Sequence, residues 1–317
     1  MINSELKEKY LRFAESQQEL PLFHRPWWLD SVCGAANWGV AMYEKGGRVW
    51  ASMPYYVKKQ KGFVALTMPR LTRYLGPFIL YPEGQKYQKK LSWEKEVMTA
   101  LAEQLPRFDI FKQLWGFEYT NWLPFYWKQF RQTTLYTYYI SHERKEVRQE
   151  FDNDIRRRIK KAESLNIEVV EMNDVQRHYD LVSATYARKG LVVPYTCSFL
   201  ERLVAQCCEK AYCRMYFAVS GNEPLATGLF VGDSQNVYYL TGGVSAEKKD
   251  LGGMDLLLVR AIGDTLAAER NFDFEGSMNE SIENYFRSFG SRQRQQFLIY
   301  KVQSPLLRLL NPILKLV

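Results

Sequence analysis

The stretch Phe272-Asp273-Phe274-Glu275-Gly276-Ser277-Met278-Asn279, followed by Tyr285-Phe286-Arg287-Ser288-Phe289-Gly290, decides the reading of this chain. Phe272 and Phe274 alternate with Asp273 and Glu275, which is the period of a short buried strand. A Gly-Ser turn follows, then a helix that Asn279 or Ser277 can cap and that Gly290 can end in a left-handed conformation. Two carboxylates therefore stand at one end of a strand beside a helix N-terminus, a plausible reaction site. The same two acids can equally serve as caps for the backbone of the turn.

Working outward, the preceding segment reads as a long helix over 253–270, with Met254, Leu257, Leu258, Ala261, Ile262 and Leu266 on one face. Before it lie three strands, 214–220, 225–231 and 236–240, joined by turns at Gly221-Asn222 and Asp233-Ser234. Two helices, 174–188 and 198–209, come first, and strand 272–274, helix 281–288 and strand 296–302 close the half. The first half gives the same order: helices at 6–17 and from Pro26, strands 38–43, 48–57 and 63–68, helix 93–105, strand 113–118, helix 123–130 and strand 133–140. Residue identity between the halves is negligible, so the repeat lives in element order alone. An α/β (α+β) protein of two domains, 1–141 and 142–317, is predicted, each a mixed, mostly antiparallel sheet flanked by helices.

The 317 residues suffice for two cores, and 46% hydrophobic with 25% charged residues are ordinary globular values. The net charge of +8 is uneven: residues 1–141 hold 19 Lys+Arg against 12 Asp+Glu, and residues 142–317 hold 24 against 23. A basic first half suits an anionic partner, whether phosphate groups, RNA or an acidic membrane face, and also suits a merely solvated surface. Five cysteines without metal-knuckle spacing read as reduced, mostly buried thiols of a cytoplasmic protein. His24, His142 and His178 have no metal-ligand spacing, and no metal site is expected. No apolar run is long enough to span a membrane. The tail 305–317 is apolar but interrupted by Arg308 and Lys315; it either packs back onto the protein or lies on a membrane surface.

Residues 143–166 join the halves with a helix whose apolar stripe is Ile155, Ile159, Ala162 and Leu165. Arg156, Arg157, Arg158, Lys160 and Lys161 fill the remaining faces, and Asp152 or Asn153 can cap it. This is a surface helix or a basic rim that meets an anionic substrate.

Several of these segments resemble the FemABX superfamily of Fem-type aminoacyltransferases, whose members pair two GNAT-like domains. The likeness rests on Asn153-Asp154-Ile155-Arg156-Arg157-Arg158-Ile159-Lys160-Lys161-Ala162, on Tyr186-Ala187-Arg188-Lys189-Gly190, on Tyr239-Leu240-Thr241-Gly242-Gly243 and on the Asp273-to-Gly290 stretch. Phe23-His24-Arg25-Pro26-Trp27-Trp28 adds to it in the first half. The resemblance implies tandem GNAT-like domains and transfer of an acyl or aminoacyl group to an amine, on a cell-wall or cell-surface precursor. In Fem-type enzymes the donor is an aminoacyl-tRNA and the acceptor a peptidoglycan precursor; in ordinary GNAT enzymes the donor is acetyl-CoA.

GNAT enzymes hold the CoA pyrophosphate on a glycine loop at the start of the long helix. Its counterpart is Lys249-Asp250-Leu251-Gly252-Gly253-Met254, so the resemblance makes Lys249, Gly252 and Gly253 the cofactor-binding candidates. Met254 stands where a small residue belongs, and Phe286 stands where GNAT enzymes tend to carry the tyrosine that protonates the thiolate, with Tyr285 beside it. No tightly bound cofactor is expected; the donor is aminoacyl-tRNA or acyl-CoA. Asp273 and Glu275 are the candidate bases for an ammonium nucleophile, with Tyr285 as the third catalytic candidate. Arg156, Tyr186, Lys189, Tyr239, Gly242, Gly243 and Arg287 are the substrate-binding candidates. Backbone N–H groups of Thr241–Gly243 or Lys189 suit the oxyanion, and the cleft between the halves is the expected acceptor site.

The preferred expectation is a bacterial, cytoplasmic Fem-like transferase, with peripheral contact at the inner face of the membrane as an option, acting on a nucleotide- or lipid-linked peptidoglycan precursor, without a stable protein partner. The alternatives are an acyl-CoA-dependent N-acyltransferase acting on a sugar or peptide amine, and a catalytically idle member that binds an anionic ligand. The absence of a long heptad arm weighs against the tRNA donor.

Overall fold

Turn glycines and runs of buried apolar residues build the first strands where the sequence predicts them. In the computed structural model, which describes residues 2–144, 146–247 and 251–314, helices α1 (Ser4–Ser16) and α2 (Pro26–Cys33) precede β1 (Trp38–Lys45), β2 (Arg48–Gln60) and β3 (Phe63–Thr67). A short β4 (Phe78–Ile79) pairs with β2, and α3 (Tyr87–Glu103), β5 (Ile110–Leu114) and α4 (Leu123–Trp127) follow. Helix α3 starts earlier than its spacing predicts because its first turns are exposed, Tyr87 and Leu91 included, and bury no apolar stripe.

Strand β6 (Arg131–Ile140) leads to α5 (Asn153–Ser164), β7 (Glu168–Glu171), α6 (Val175–Ala187) and α7 (Cys197–Lys210). Then come β8 (Tyr212–Ser220), β9 (Glu223–Gly232), β10 (Asn236–Val244), α8 (Gly253–Ala267), β11 (Asn271–Asp273) and α9 (Glu280–Arg287). Strand β12 (Arg292–Val302) and α10 (Pro305–Leu314) end the chain.

The chain forms two compact units, Met1–Leu135 with Gln295–Val317, and Tyr136–Arg294. In the first unit the strand order is β1-β2-β3-β5-β12, with a parallel step between β3 and β5. Its core packs Trp93, Val97 and Leu101 of α3 on Met53, Leu66, Phe111 and Ile299. In the second unit the order is β6-β11-β10-β9-β8-β7, with a parallel step between β10 and β11. Here Leu257, Leu258, Ala261 and Ile262 of α8 pack with Tyr216, Ala218 and Phe230, and each such side chain is worth roughly 1.5–3 kcal/mol of burial.

The units differ from the expected division at residue 141 in one respect. Each takes its last strand from the other half of the sequence: β12 pairs with β5 through Leu298–Val302, and β6 pairs with β11 at Ile140 and Tyr139. A strand's composition encodes its burial but not its partner, so this exchange leaves no mark in a single sequence.

Candidate active site

The chemistry-bearing residues of the second unit gather where β10 and β11 part. The two strands pair in parallel only over Asn236–Tyr238 and Asn271–Asp273. Beyond that point β10 continues to Val244, and its register with β9 slips between Tyr239 and Thr241, leaving Leu240 as the extra residue of a bulge. A bulge re-aims side chains and releases backbone groups from the ladder. Ser245 N–H bonds Leu225 on β9, whereas Val244 N–H bonds the Thr185 hydroxyl at 2.9 Å. Strand alternation therefore turns the N–H of Gly242 to the edge that β11 leaves open.

At the end of β11, Asp273 is buried, and its Oδ1 accepts from Glu275 N–H (2.7 Å) and from Thr137 Oγ1 (2.5 Å). Those bonds hold Glu275 at φ +62°, in the left-handed region that a glutamate adopts only when its surroundings fix it. The Glu275 carboxylate acts electrostatically on the Tyr195 and Tyr239 hydroxyls. Burial, more than that charge, pushes Tyr195 up to about 12 and Tyr239 higher still. Tyr195 Oη lies 3.1 Å from Thr241 Oγ1, immediately past the bulge. Tyr195 is also electrostatically coupled to half-buried Tyr186.

Tyr239 stacks on Phe230 (5.4 Å) and meets the edge of Phe286 (6.3 Å), and its hydroxyl points at Met254 Sδ, 3.7 Å away. A Cβ on Gly242 would stand 2.0 Å from that hydroxyl. One on Gly243 would stand 2.4 Å from the backbone of Leu181, so the glycine lets α6 lie directly on β10.

The start of α8 carries the second cluster. Gly252 caps the helix at φ +82°, and a Cβ there would stand 2.2 Å from the Arg158 carbonyl, so α5 abuts this turn. Gly253 begins the helix against Ala218. Asp255, 5% exposed, takes Arg158 Nε at 3.1 Å, the Tyr285 hydroxyl and its own N–H. Burial raises the Asp255 pKa in spite of these partners, and burial followed by the Asp255 charge raises Tyr285 well above a free phenol. The Arg158 guanidinium also lies 5.7 Å from the Tyr285 ring centroid. Beside the cluster a cavity of about 500 Å³ opens, lined by Asp152, Asp154, Arg158, Ser281, Asn284 and Tyr285 among others.

This arrangement does not fit a CoA pyrophosphate. The positive end of the α8 dipole already faces a buried carboxylate, the cation beside it is spent on that carboxylate, and the cavity rim adds two more acids. Met254 is turned to Tyr239, and Lys249 lies outside the described residues.

The remaining sequence candidates stand apart. Arg156 is exposed and donates to the Gln149 carbonyl. Arg287 is exposed and paired with Glu283 (3.1 Å) and Asn284 (2.6 Å). Lys189 is exposed at the end of α6, and its N–H already bonds the Tyr186 carbonyl. Sequence reasoning did not single out Arg158, Asp255, Thr137, Tyr195 or Thr241 as individual site side chains. The first two carried a signal: Arg158 lies three residues after Ile155 and four before Ala162, both fully buried, and Asp255 interrupts an apolar helix face in its first turn.

Residues 149–287 match the family model of an acetyltransferase (GNAT) domain. No curated protein sequence matches the chain. Among solved structures, FemX aligns with a TM-score of 0.67 at 12% identity, over 95% of this chain and 97% of that one. L-PGS from Bacillus licheniformis aligns with a TM-score of 0.54 at 12% identity, over 99% and 97%. A tandem GNAT protein from the clavulanic acid biosynthesis pathway gives 0.50 at 9% identity, over 86% and 93%. The chain thus has a FemX-like fold of two GNAT-type units, and the GNAT match falls on the unit that holds both clusters.

Proposed function

We propose that this protein is an acyltransferase that forms an amide on an amine acceptor, with an aminoacyl-tRNA rather than an acyl-CoA as donor. The observation that supports the donor assignment is the Arg158–Asp255 pair, which sets a buried carboxylate at the helix end where GNAT enzymes hold a CoA pyrophosphate. The fold shared with FemX and the GNAT match support the reaction class.

In this reading the acceptor amine enters where β10 and β11 part. Glu275 takes the proton from the ammonium, whose ordinary pKa near 10.4 otherwise keeps it unreactive. The amine nitrogen attacks the donor's ester carbonyl carbon, and the N–H of Gly242, at the open edge beyond the bulge, donates to the oxyanion. As the ester C–O bond breaks, the Tyr195 hydroxyl, held by Thr241, gives its proton to the departing oxygen and takes one from the attacking nitrogen, so the amide leaves neutral and the phenol is restored. Asp273 positions Glu275 through its backbone, and Tyr285 holds Asp255. An activated ester needs little beyond this, since orientation alone can supply roughly 7–11 kcal/mol.

The acceptor class follows from the resemblance and from the basic first half: a nucleotide- or lipid-linked peptidoglycan precursor bearing a free amine. The test is transfer of a labelled amino acid from charged tRNA to such a precursor, run beside labelled acetyl-CoA. Label moving from charged tRNA alone supports the reading. Label moving from acetyl-CoA, or from neither donor across a panel of precursors, defeats it.

A further inference from the structure

Seven of the twelve large hydrophobic residues exposed on the described surface lie on α3, α4 and α10 of the first unit. Three belong to the five-residue helix α4: Leu123, Tyr126 (57% exposed) and Trp127 (55%). Their presentation is fixed from below, because Pro124 and Phe125 are buried and Phe125 packs edge-on against Trp115 at 4.9 Å. Lys95 of α3 places its amine 5.1 Å from the Trp127 ring.

Trp127 also forms one wall of a cavity of about 450 Å³ whose other linings include Arg107, Lys128, Lys301, Phe130 and Glu103. Glu103 is its one acid, and it is paired with Lys128 at 2.6 Å. Lys301 donates to the Lys128 carbonyl (2.7 Å) and lies 4.9 Å from the Phe130 ring. Burial, then Arg308 and Lys128, depress the Lys301 pKa, so an anion in this cavity would relieve a repulsion already present. Arg308 links the cavity to α10, on which Leu307 is buried while Leu306 and Leu309 (77%) are exposed.

We propose that α4, α10 and the cavity between Trp127 and Lys301 form a peripheral membrane-binding face that seats the phosphate of an anionic phospholipid. Exposed Trp and Tyr beside Lys and Arg is the composition that settles at the headgroup level of a bilayer, with leucines entering the acyl boundary. A soluble phosphate ligand would need the cations but not the apolar collar. The charge matches as well, since the +7 of residues 1–141 favours an anionic surface.

The test is sedimentation of the full chain with phosphatidylcholine vesicles and with vesicles that also contain phosphatidylglycerol. Binding is expected to the anionic vesicles, to weaken in salt, and to fall about fivefold for each basic residue removed in Arg107→Gln and Lys301→Gln. Tyr126→Ser with Trp127→Ser removes side chains that are more than half exposed, so it should lose most of the binding with only a small change in thermal stability. Equal sedimentation with both vesicle types, or full binding by the serine variant, would overturn the proposal. So would release from vesicles by inorganic phosphate at constant ionic strength, which would mark a soluble-anion site. Loss of self-association in the serine variant without any vesicle binding would make the face an interface between copies and likewise overturn it.

Discussion

Arg158 on α5 and Asp255 on α8 form an ion pair of 3.1 Å across the first turn of α8, and Asp255 is buried while Arg158 remains partly exposed. The pair lies at the helix end that in GNAT enzymes receives a phosphate. It also has an energetic signature. Arg158→Met strands a buried carboxylate, and the loss should approach, but stay below, the roughly 3–5 kcal/mol of a fully buried pair. Arg158→Met combined with Asp255→Asn should recover most of that loss, and a double-mutant cycle by urea unfolding measures the coupling. Additive effects would show that the two groups do not interact.

Asp255 adds a pH dependence of its own. Its folded pKa is raised, chiefly by burial, so the stability it contributes is complete below the ordinary carboxylate range and declines as pH rises through the folded value. Asp255→Asn should therefore flatten the stability profile in mildly acidic solution. An unchanged profile would mean that the carboxylate is not desolvated.

The histidines act in the opposite direction. Burial pulls His24 down to about 3 and His178 to about 4, whereas both titrate near 6.5 when unfolded. As pH falls from about 6.5 towards 4, the unfolded chain binds protons that the fold refuses, at a cost of up to about 1.4 kcal/mol per pH unit per histidine. Urea midpoints at a series of pH values should drop across this window, and His178→Gln should shallow the slope. A flat profile would contradict the burial of both rings.

Much of this was legible in the chain. The apolar runs of β8 and β9, the turns that join β8, β9 and β10, and the apolar face of α8 announced the second unit, and Phe272 and Phe274 marked the strand that ends at Asp273, two residues before Glu275. Strand β7 escaped because it is four residues long with a glutamate at each end. The choice among the cations of α5 is the instructive failure. Arg156 and Arg158 look alike in composition, but only Arg158 shares the face of Ile155 and Ala162, and what that face meets is decided by packing on α8. Tyr195 and Thr241 carried no signal, because a hydrogen bond across 46 residues leaves no local pattern.

The roles assigned to Asp273 and Glu275 separate kinetically. Glu275→Gln should lower kcat by about 10²–10⁴ with little change in KM and no loss of stability, and should remove the base limb of the pH–rate profile. Asp273→Asn should lower activity and stability together, because it loosens the turn that holds Glu275 at φ +62°. Full activity in Glu275→Gln would remove it as the base.

Gly243→Ala tests the seating of α6 on β10. A methyl group 2.4 Å from the Leu181 backbone meets atoms that cannot rotate away, so a cost of about 1–3 kcal/mol or more is expected in urea unfolding. A neutral substitution would show that α6 moves freely there.

Calorimetric titration of the full chain with acetyl-CoA and longer acyl-CoAs decides whether the start of α8 accepts CoA. No saturable binding is expected. Micromolar binding at one site per chain would contradict it and return acyl-CoA as the donor.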